Sequence, residues 1–477
     1  MRKKLLILLT SACCLPVWAQ QDGIAITIDQ AIEMALSHNE AIKAHEYEQK
    51  VAEYDRKAAS GLRLPSVSLS GAYVYMGDNI GVDLNGIKQP IRNGMEIIGN
   101  MGIQIPPAIG QIANSALARN WELTIQERQF ATFGANATLP IFMGGKVNVA
   151  NKAAKITEQT TTVQGEVVRN ELVSELVERY YGLLVARQAR DVRQMVVDAV
   201  KVHLDDARKL EATGIIARGE RLFVEVKMTE AERDLKGTDI QVRTIAAALG
   251  NTLNDTENYL PVSTLFVFSD IAPLEYFQDM AERNNPLLRQ ADLQYELAEQ
   301  GVSLERSNLL PQVAAMAHYR LADYQVSEAI PQWMVGAGVT FNLFDGLQKE
   351  NKLSASKQTL KRVETLRSKA SKDIGVLVEK IYNEMADLRE RVLSADKALE
   401  FAKEYLRIQN SSFREGLTTA SSLLDAELEL ASIRIERLNS AYLYDLAFAR
   451  LLEACGESER FVEYAQGSDS VPVTFEE

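Results

Sequence analysis

Four stretches of this 477-residue chain alternate apolar and polar residues with a period of two. After Pro65, the residues Val67, Leu69, Gly71, Tyr73 and Tyr75 fall on one side and Ser66, Ser68, Ser70 and Ala72 on the other. Phe133, Ala135, Ala137, Leu139 and Ile141 likewise oppose Thr132, Gly134, Asn136 and Thr138. Further on, Val313, Ala315, Ala317, Tyr319 and Leu321 oppose Gln312, His318 and Arg320, and Trp333, Val335, Ala337, Val339, Phe341 and Leu343 oppose Gly336, Gly338, Thr340 and Asn342. Such alternation predicts four β-strands of about ten residues, each with one apolar and one polar face. A soluble sheet with one buried face has this pattern, and so has a membrane barrel that is apolar toward lipid and polar toward its lumen.

Outside these stretches the period becomes helical. No proline falls in residues 141–260 or 332–471, spans of 120 and 140 residues. Proline inside a helix removes a hydrogen bond and clashes with the preceding turn, so these spans are where long helices can lie. In the second span Val363, Leu366, Ala370, Ile374, Leu377, Ile381, Met385, Leu388, Val392, Leu399 and Leu406 recur at steps of three, four or seven, the seam of a coiled coil. A helix over 348–414 is predicted, on the order of 100 Å long at about 1.5 Å per residue. Each long helix ends at a glycine turn, around Gly214 and around Gly416, and a second helix follows. Glycine supplies the left-handed cap, and Thr418, Thr419, Ser421 and Ser422 are ready N-caps. The reading is two long antiparallel helical hairpins.

The chain also repeats itself. Gly214 and Gly416 stand 202 residues apart, and the same offset carries Gly134 to Gly336, Phe142 to Phe344, Gly144 to Gly346, Leu222 to Leu424 and Glu225 to Glu427. Upstream the offset is 246, pairing Ala35 with Ala281, Asn39 with Asn285, Pro65 with Pro311 and Val67 with Val313. The difference between the two offsets, 44 residues, is an insertion in the first half, placed within 76–129. That region is rich in Gly, Asn and Ile and reads as a long solvated loop. Its Asp78 to Gly86 stretch lacks the acceptor spacing and closing Glu of a calcium loop. The expected organisation is a leader at 1–19, a first repeat at 20–250 with its tip near 214–219, and a linker at 251–272. A second repeat follows at 273–456, with a strand pair at 311–344 and a tip near 416–422, and then a C-terminal segment at 457–477.

Composition changes this picture in two ways. The chain is 46% apolar and 25% charged, as ordinary folded chains are, with a formal net charge of −13 and four histidines. An acidic balance argues against nucleic acid as a partner, since phosphate contacts need clustered Lys and Arg. Residues 1–19 read as a secretory signal: Arg2, Lys3 and Lys4 precede an apolar run beginning at Leu5, and Val17-Trp18-Ala19 is a small-residue cleavage site. Loss of those three cations would leave a net charge of −16. The alternative is lipidation at Cys13, although Thr10-Ser11-Ala12 lacks the usual Leu. Cys455 is then the remaining thiol and reads as a small buried helix residue.

Beyond residue 19 no stretch of 18 uncharged apolar residues occurs, so no helical span is expected. An exported chain of this kind is soluble or is held in an outer membrane by strands; the strand pattern fits both, and the leader together with the lack of any other membrane element favours the second. The smallest barrels have about eight strands, so four strands must be pooled between chains. Three copies would bring twelve, and rotational symmetry closes such an assembly.

No Gly-rich phosphate loop, His-Glu-x-x-His, paired metal-spaced Cys or Gly-x-Ser-x-Gly is present, so an enzyme is not expected and no cofactor or metal is implied. His38, His45 and His203 fall on predicted helices among charged neighbours and read as solvated; His318 reads as lumen-facing.

The order helix, strand, long loop, strand, long helix, tip, helix, then the same plan again, resembles the TolC-type outer-membrane efflux proteins. The resemblance covers essentially all of the chain after the leader. Its most specific stretches are residues 26–36, opening Ile26-Thr27-Ile28-Asp29-Gln30-Ala31, together with 281–286, Leu309-Leu310-Pro311, Phe341-Asn342-Leu343-Phe344-Asp345-Gly346 and the tip at 416–427.

What the resemblance implies is a mainly α fold with membrane β: a homotrimer in the outer membrane of a Gram-negative bacterium. Its twelve-stranded β-barrel would be continued by a twelve-helix periplasmic tunnel of long antiparallel coiled-coil hairpins. Such a duct passes small molecules, drugs and toxic compounds among them, from a periplasmic adaptor and an inner-membrane pump to the exterior, and catalyses no reaction. Residues 30–60 and 274–308 would be short upper helices, and 251–272 with 457–477 part of a belt around the tunnel. Ser66, Ser68, Thr132, Asn136, Gln312, His318, Arg320 and Asn342 would face the lumen; Tyr73, Tyr75, Phe133, Trp333 and Phe341 would face outer-membrane lipid.

In that family the tip carries two carboxylates three residues apart that form a ring across the three chains. The matching positions are Ser422 and Asp425, so only the second acid is present. Glu220 holds the equivalent place in the first repeat, and Glu427 lies two residues beyond Asp425; with Gly214 and Gly416 these are the tip and gate candidates. A ring of Asp425 carboxylates favours cations. The alternative is that Asp425 and Glu220 are first-turn acids favoured by the helix dipole. The rival for the whole chain is a soluble periplasmic coiled-coil adaptor, which would carry one hairpin flanked by β-rich segments.

Overall fold

The computed structural model describes residues 23–103, 105–415 and 417–474. The leader reading, with Cys13, and the glycine at position 416 lie outside them. Strand β1 (Ile24–Ile26) leads into α1 (Ile28–His38) and α2 (Glu40–Gly61), and then β2 (Ser66–Tyr75). Helix α1 starts on a capping box: Gln30 N donates to Thr27 Oγ1 at 3.3 Å, and Thr27 N donates to Gln30 Oε1 at 3.1 Å. Next come β3 (Ile80–Asp83), α3 (Lys88–Asn100), α4 (Pro107–Ala118), β4 (Glu122–Gln126) and β5 (Gln129–Phe142). The helices α5 (Lys146–Ala212) and α6 (Arg218–Leu253) form the first hairpin, followed by β6 (Tyr259–Pro261) and β7 (Leu265–Phe268). The second half runs α7 (Leu274–Asn284), α8 (Pro286–Ser307), β8 (Gln312–Tyr324), β9 (Trp333–Thr340), α9 (Gln348–Arg414) and α10 (Ala420–Cys455). It ends in α11 (Phe461–Ala465) and β10 (Ser470–Val473).

Element lengths recur between the halves. Helices α1 and α7 both have 11 residues, α2 and α8 both 22, α5 and α9 both 67, and α6 and α10 both 36. The chain is therefore mainly α, with its β-structure concentrated in one sheet.

Two compact units are built from non-contiguous segments. The first comprises residues up to Glu53, Ile156–Glu296 and Lys361 onward. Its core gathers Leu176, Tyr180, Tyr181, Leu249, Phe266, Phe277, Phe448 and Phe461, all essentially without solvent exposure. Short ladders of β1 with β6 and of β7 with β10 lie against the helices. Side chains rather than strands anchor them. Tyr180 Oη donates to Ile26 O at 2.8 Å and accepts from Val262 N (3.0 Å) and Ser263 N (2.9 Å). Phe268 N donates to Tyr444 Oη and Phe266 N to Asp445 Oδ2, each at 3.3 Å, while Arg389 Nε donates to Phe268 O at 3.0 Å. Burial pushes the Asp445 carboxyl well above the usual carboxylate range. Cys455 is buried as its sequence position suggests; its Sγ lies 3.4 Å from Phe277 O, and burial pushes the thiol up to about 12.

The second unit, Tyr54–Lys155 with Leu297–Leu360, holds a four-stranded antiparallel sheet in the order β2-β5-β8-β9 and a separate β3-β4 ladder.

Four expectations need correction. The region 76–129 is not a structureless loop but a β3-α3-α4-β4 excursion. Its glycines, Gly94, Gly99 and Gly110 among them, lower helix propensity and mask an amphipathic pattern that nevertheless forms helices. Strand β9 ends at Thr340, so Phe341 and Asn342 lie beyond it; Lys349 Nζ donates to Asn342 O at 3.2 Å as the chain turns into α9. The α9 seam is buried from Val378 through Ala402, but Leu366 is 55% and Leu377 40% exposed, Val378 facing inward where Leu377 was expected. Finally, His45 and His203 are not solvated. His45 is buried, its Nε2 2.8 Å from Thr161 O, in space that a Cβ on Gly165 would invade at 2.7 Å.

Candidate functional site: the strand faces and the hairpin tips

The register of the sheet sorts its side chains into two populations. Val67 pairs with Ala137, Ala137 with Ala317, and Ala317 with Val335; the next row joins Leu69, Ala135, Tyr319 and Trp333. Partnered residues share a face, so Tyr73, Tyr75, Phe133 and Trp333 stand on the apolar side with Val67, Leu69, Val335 and Val339, and all are exposed in the single chain.

The opposite face carries the row Ser68, Asn136, His318 and Met334, flanked by Ser66 with Thr138 and by Gln312 with Thr340. Here the polar groups bond across strands: Asn136 Nδ2 donates to Ser70 Oγ at 2.7 Å, and Asn136 Oδ1 lies 2.8 Å from His318 Nδ1. Gly134 is required beside them, because a Cβ there would sit 2.7 Å from His318 Cε1 and 2.9 Å from Tyr319 O. Arg320 opposes Gly134, and a register shift brings Asp323, paired with Thr132, onto the same face; Arg320 Nε lies 2.8 Å from Asp323 Oδ2. Met316 and Met334 also sit on this face, which is less uniformly polar than the serine pattern suggests.

One positioning residue escaped the sequence. Gln126 is buried, with Nε2 donating to Gln325 O at 2.7 Å and Oε1 accepting from Ser327 N at 2.8 Å, which fastens the β8-β9 connection to the end of β4. Nothing local distinguishes it from neighbouring exposed glutamines.

At the tip of the first hairpin, Gly214 has φ +78°, and Ile215 N donates back to Leu210 O at 2.9 Å, closing α5 with a left-handed glycine cap. Arg221 then clamps the two arms, donating from Nε to Glu211 Oε2 and from Nη1 to Glu225 Oε2, both at 2.6 Å. Glu220 sits exposed in the first turn of α6. At the second tip Thr419 is the N-cap of α10, accepting from Ser422 N at 3.2 Å, with the Ser422 hydroxyl 3.0 Å away. Ser422 is thus part of the cap, whereas Asp425, one turn on, is exposed.

Glu427 instead turns toward the first hairpin: both carboxylate oxygens lie 3.1 Å from His203 Nε2, and Phe413 stands edge-on to the imidazole, centroids 6.3 Å apart. Beneath this pair Val200, Leu204, Ala207, Val224 and Leu424 form a small apolar core joining the two hairpins. The hydrogen bond to Glu427 raises the His203 pKa above its ordinary value; burial opposes the shift, and the charges of Glu427 and Asp206 reinforce it.

A raised folded-state pKa means that the link's stabilisation is fully present below the unfolded value of about 6.5 and is lost as pH rises through the higher folded one. Amides around Phe413 and Leu424 should therefore exchange hydrogen more slowly, after correction for intrinsic rates, below about pH 6 than above about pH 8. His203→Gln should abolish that difference, and an undiminished pH dependence in the variant would refute the link.

No group of His, Cys, Asp and Glu among the described residues could hold a metal ion. No described helix is long and apolar enough to cross a membrane.

The family model for outer membrane efflux proteins matches residues 278–457. No curated protein matches the sequence. Among solved structures the chain is similar to the outer membrane protein VceC from Vibrio cholerae, with TM-score 0.67 and 14% identity over 90% of this chain and 96% of that one. It is similar also to the CmeC outer membrane channel of Campylobacter jejuni, with TM-score 0.69 and 12% identity over 90% of this chain and 86% of that one. The open state of the MtrE outer membrane channel of Neisseria gonorrhoeae gives TM-score 0.66 and 14% identity over 90% of this chain and 89% of that one. The efflux-protein model thus covers most of the second repeat, and the fold of these outer membrane channels is shared over nine-tenths of the chain.

Proposed function

We propose that three copies of this outer-membrane efflux duct pool their four-stranded sheets into one closed twelve-stranded barrel, and their helical hairpins into a periplasmic tunnel of twelve helices. The observation that carries this reading is the sheet itself. It is antiparallel, sorted into an apolar and a polar face, and its outer strands β2 and β9 pair on one side only. In a bilayer unpaired strand edges are untenable, so edges of neighbouring copies must meet. Tyr73, Tyr75, Phe133 and Trp333 then face lipid, while Ser66, Ser68, Thr132, Asn136, Gln312, His318 and Arg320 line the lumen. The exposed Leu366, Val376, Leu377 and Phe401 on α9 support packing between copies.

The duct receives small molecules from a periplasmic adaptor and an inner-membrane pump. The two repeats would span 20–250 and 273–456. At the tunnel tip Asp425, exposed and free of the capping role that occupies Ser422, is the acid placed to form a ring of three carboxylates. Glu220 and Glu427 are neighbouring acids, and Glu427 is committed to His203. A soluble adaptor is not favoured, since it would need neither the sheet nor two hairpins. Planar-bilayer recording tests the tip: Asp425→Ala should raise the closed-state conductance several-fold by removing like charges that order the constriction. An unchanged closed state would take Asp425 out of the gate.

A further inference from the structure

The excursion between β2 and β5 uses none of its apolar residues to build a core. None of the 13 residues of α3 is buried, and Leu117 is the one buried residue of α4. At 100° per residue, Ile87, Pro90, Ile91, Gly94, Met95, Ile97, Ile98 and Met101 occupy one continuous arc of about 160° around α3, with no polar residue inside it. Lys88 and Arg92 stand at one border of that arc. Between Leu84 and Trp121 the charges are Lys88, Arg92 and Arg119 against Glu96, with Asp83 and Glu122 paired on the adjoining β3-β4 ladder. Among the described residues these three cations make no ion pair. Lys88 Nζ instead donates to Arg119 O and lies 5.8 Å from the Trp121 ring, holding two cations and an amphipathic aromatic together at one end of the helix pair. The excursion follows directly on the β2-β5 ladder, since Met76 N donates to Arg128 O at 2.7 Å before the separate β3-β4 ladder begins.

An apolar arc edged with Lys and Arg, beside a Trp and left exposed by the described residues of its own chain, has the composition of a helix that lies in a membrane interface. We propose that α3 lies on the outer membrane with its isoleucine arc below the headgroups and Lys88, Arg92 and Arg119 against anionic lipid phosphates, as a surface anchor at the mouth of the duct. The proposal rests on the reading that β2 and β5 are membrane strands. A second copy packed arc to arc would bring its own Lys88, Arg92 and Arg119 up to these cations; an anionic lipid surface suits both the arc and the charges.

The test uses the full chain in vesicles of phosphatidylethanolamine and phosphatidylglycerol, with nitroxide labels on Ile98→Cys, Gln89→Cys and, on the sheet, Val335→Cys, while the buried Cys455 stays unlabelled. Accessibility to oxygen and to an aqueous nickel chelate should place Ile98 roughly 5–10 Å below the phosphates and Gln89 in water. Adding Lys88→Glu with Arg92→Glu should bring the Ile98 label out to water. An aqueous Ile98 label beside a lipidic Val335 label would overturn the anchor and leave the membrane sheet intact. Dipolar broadening between Ile98 labels would overturn it in favour of a second copy. An aqueous Val335 label would overturn both readings.

Discussion

Tyr180→Phe is expected to cost about 1–3 kcal/mol of folding stability, more than its single missing atom suggests, because that is the cost of a buried polar group that loses its partner. The Tyr180 hydroxyl donates to Ile26 O, which also accepts from Val262 N at 3.1 Å, and is the side-chain acceptor shared by Val262 N and Ser263 N. The side chain has no solvent exposure, so in Tyr180→Phe no water replaces the hydroxyl: Ser263 N loses its partner, and Val262 N and Ile26 O keep only their bond to each other. The phenyl ring keeps its packing against Tyr181, centroids 5.2 Å apart, so the loss reports hydrogen bonding rather than a cavity. Urea unfolding of the detergent-solubilised protein, followed by far-ultraviolet dichroism, should show the midpoint falling with an unchanged slope. Tyr47→Phe, at an exposed site, should leave it where it was. Equal midpoints for wild type and Tyr180→Phe would mean that the β1-β6 ladder is held by other contacts.

The second large effect concerns the sheet. Val335 is 72% exposed in the single chain, the third residue of β9, and pairs on the apolar face with Ala317 near the middle of β8. An arginine on the lipid face near the midplane costs about 2–4 kcal/mol, and 1.4 kcal/mol is tenfold in an equilibrium, so Val335→Arg should lower the membrane-inserted fraction by roughly tenfold or more. Ser68→Arg places the same charge on the opposite face, beside Asn136, which in the proposed barrel faces a water-filled lumen, and should insert normally. Carbonate-extracted membrane fractions compare the two. Insertion lost equally in both variants, or in neither, would reverse or abolish the assignment of faces.

Much of this architecture was legible because it rests on periodicity. Strand alternation needs only a period of two, and Val67, Tyr73, Phe133 and Trp333 announce one face whatever surrounds them. The glycine at position 214 and the Thr419 cap are local signals with local causes. The same holds for equal spacings such as Gly134 to Gly336, which survive divergence that erases side-chain identity.

What stayed hidden depends on distant partners. His203 looks solvated until α10 brings Glu427 alongside it 224 residues later, and His45 until Thr161 meets it. Asp445 reads as an ordinary helical acid, yet it is buried against the backbone of Phe266. The α3 helix failed for another reason: its glycines depress propensity, and its isoleucine arc is visible only when periodicity is weighed above composition. Leu377 and Val378 differ by one residue, or 100° around a helix, and only packing chooses between them.

The central claim is that one chain supplies a third of a closed conduit. Native mass spectrometry of the full protein, extracted from membranes and released from detergent, tests it most directly. The account predicts a complex of three chains that resists dissociation in mild detergent. A monomer under those conditions, or recovery of the protein in the soluble fraction without detergent, would contradict it.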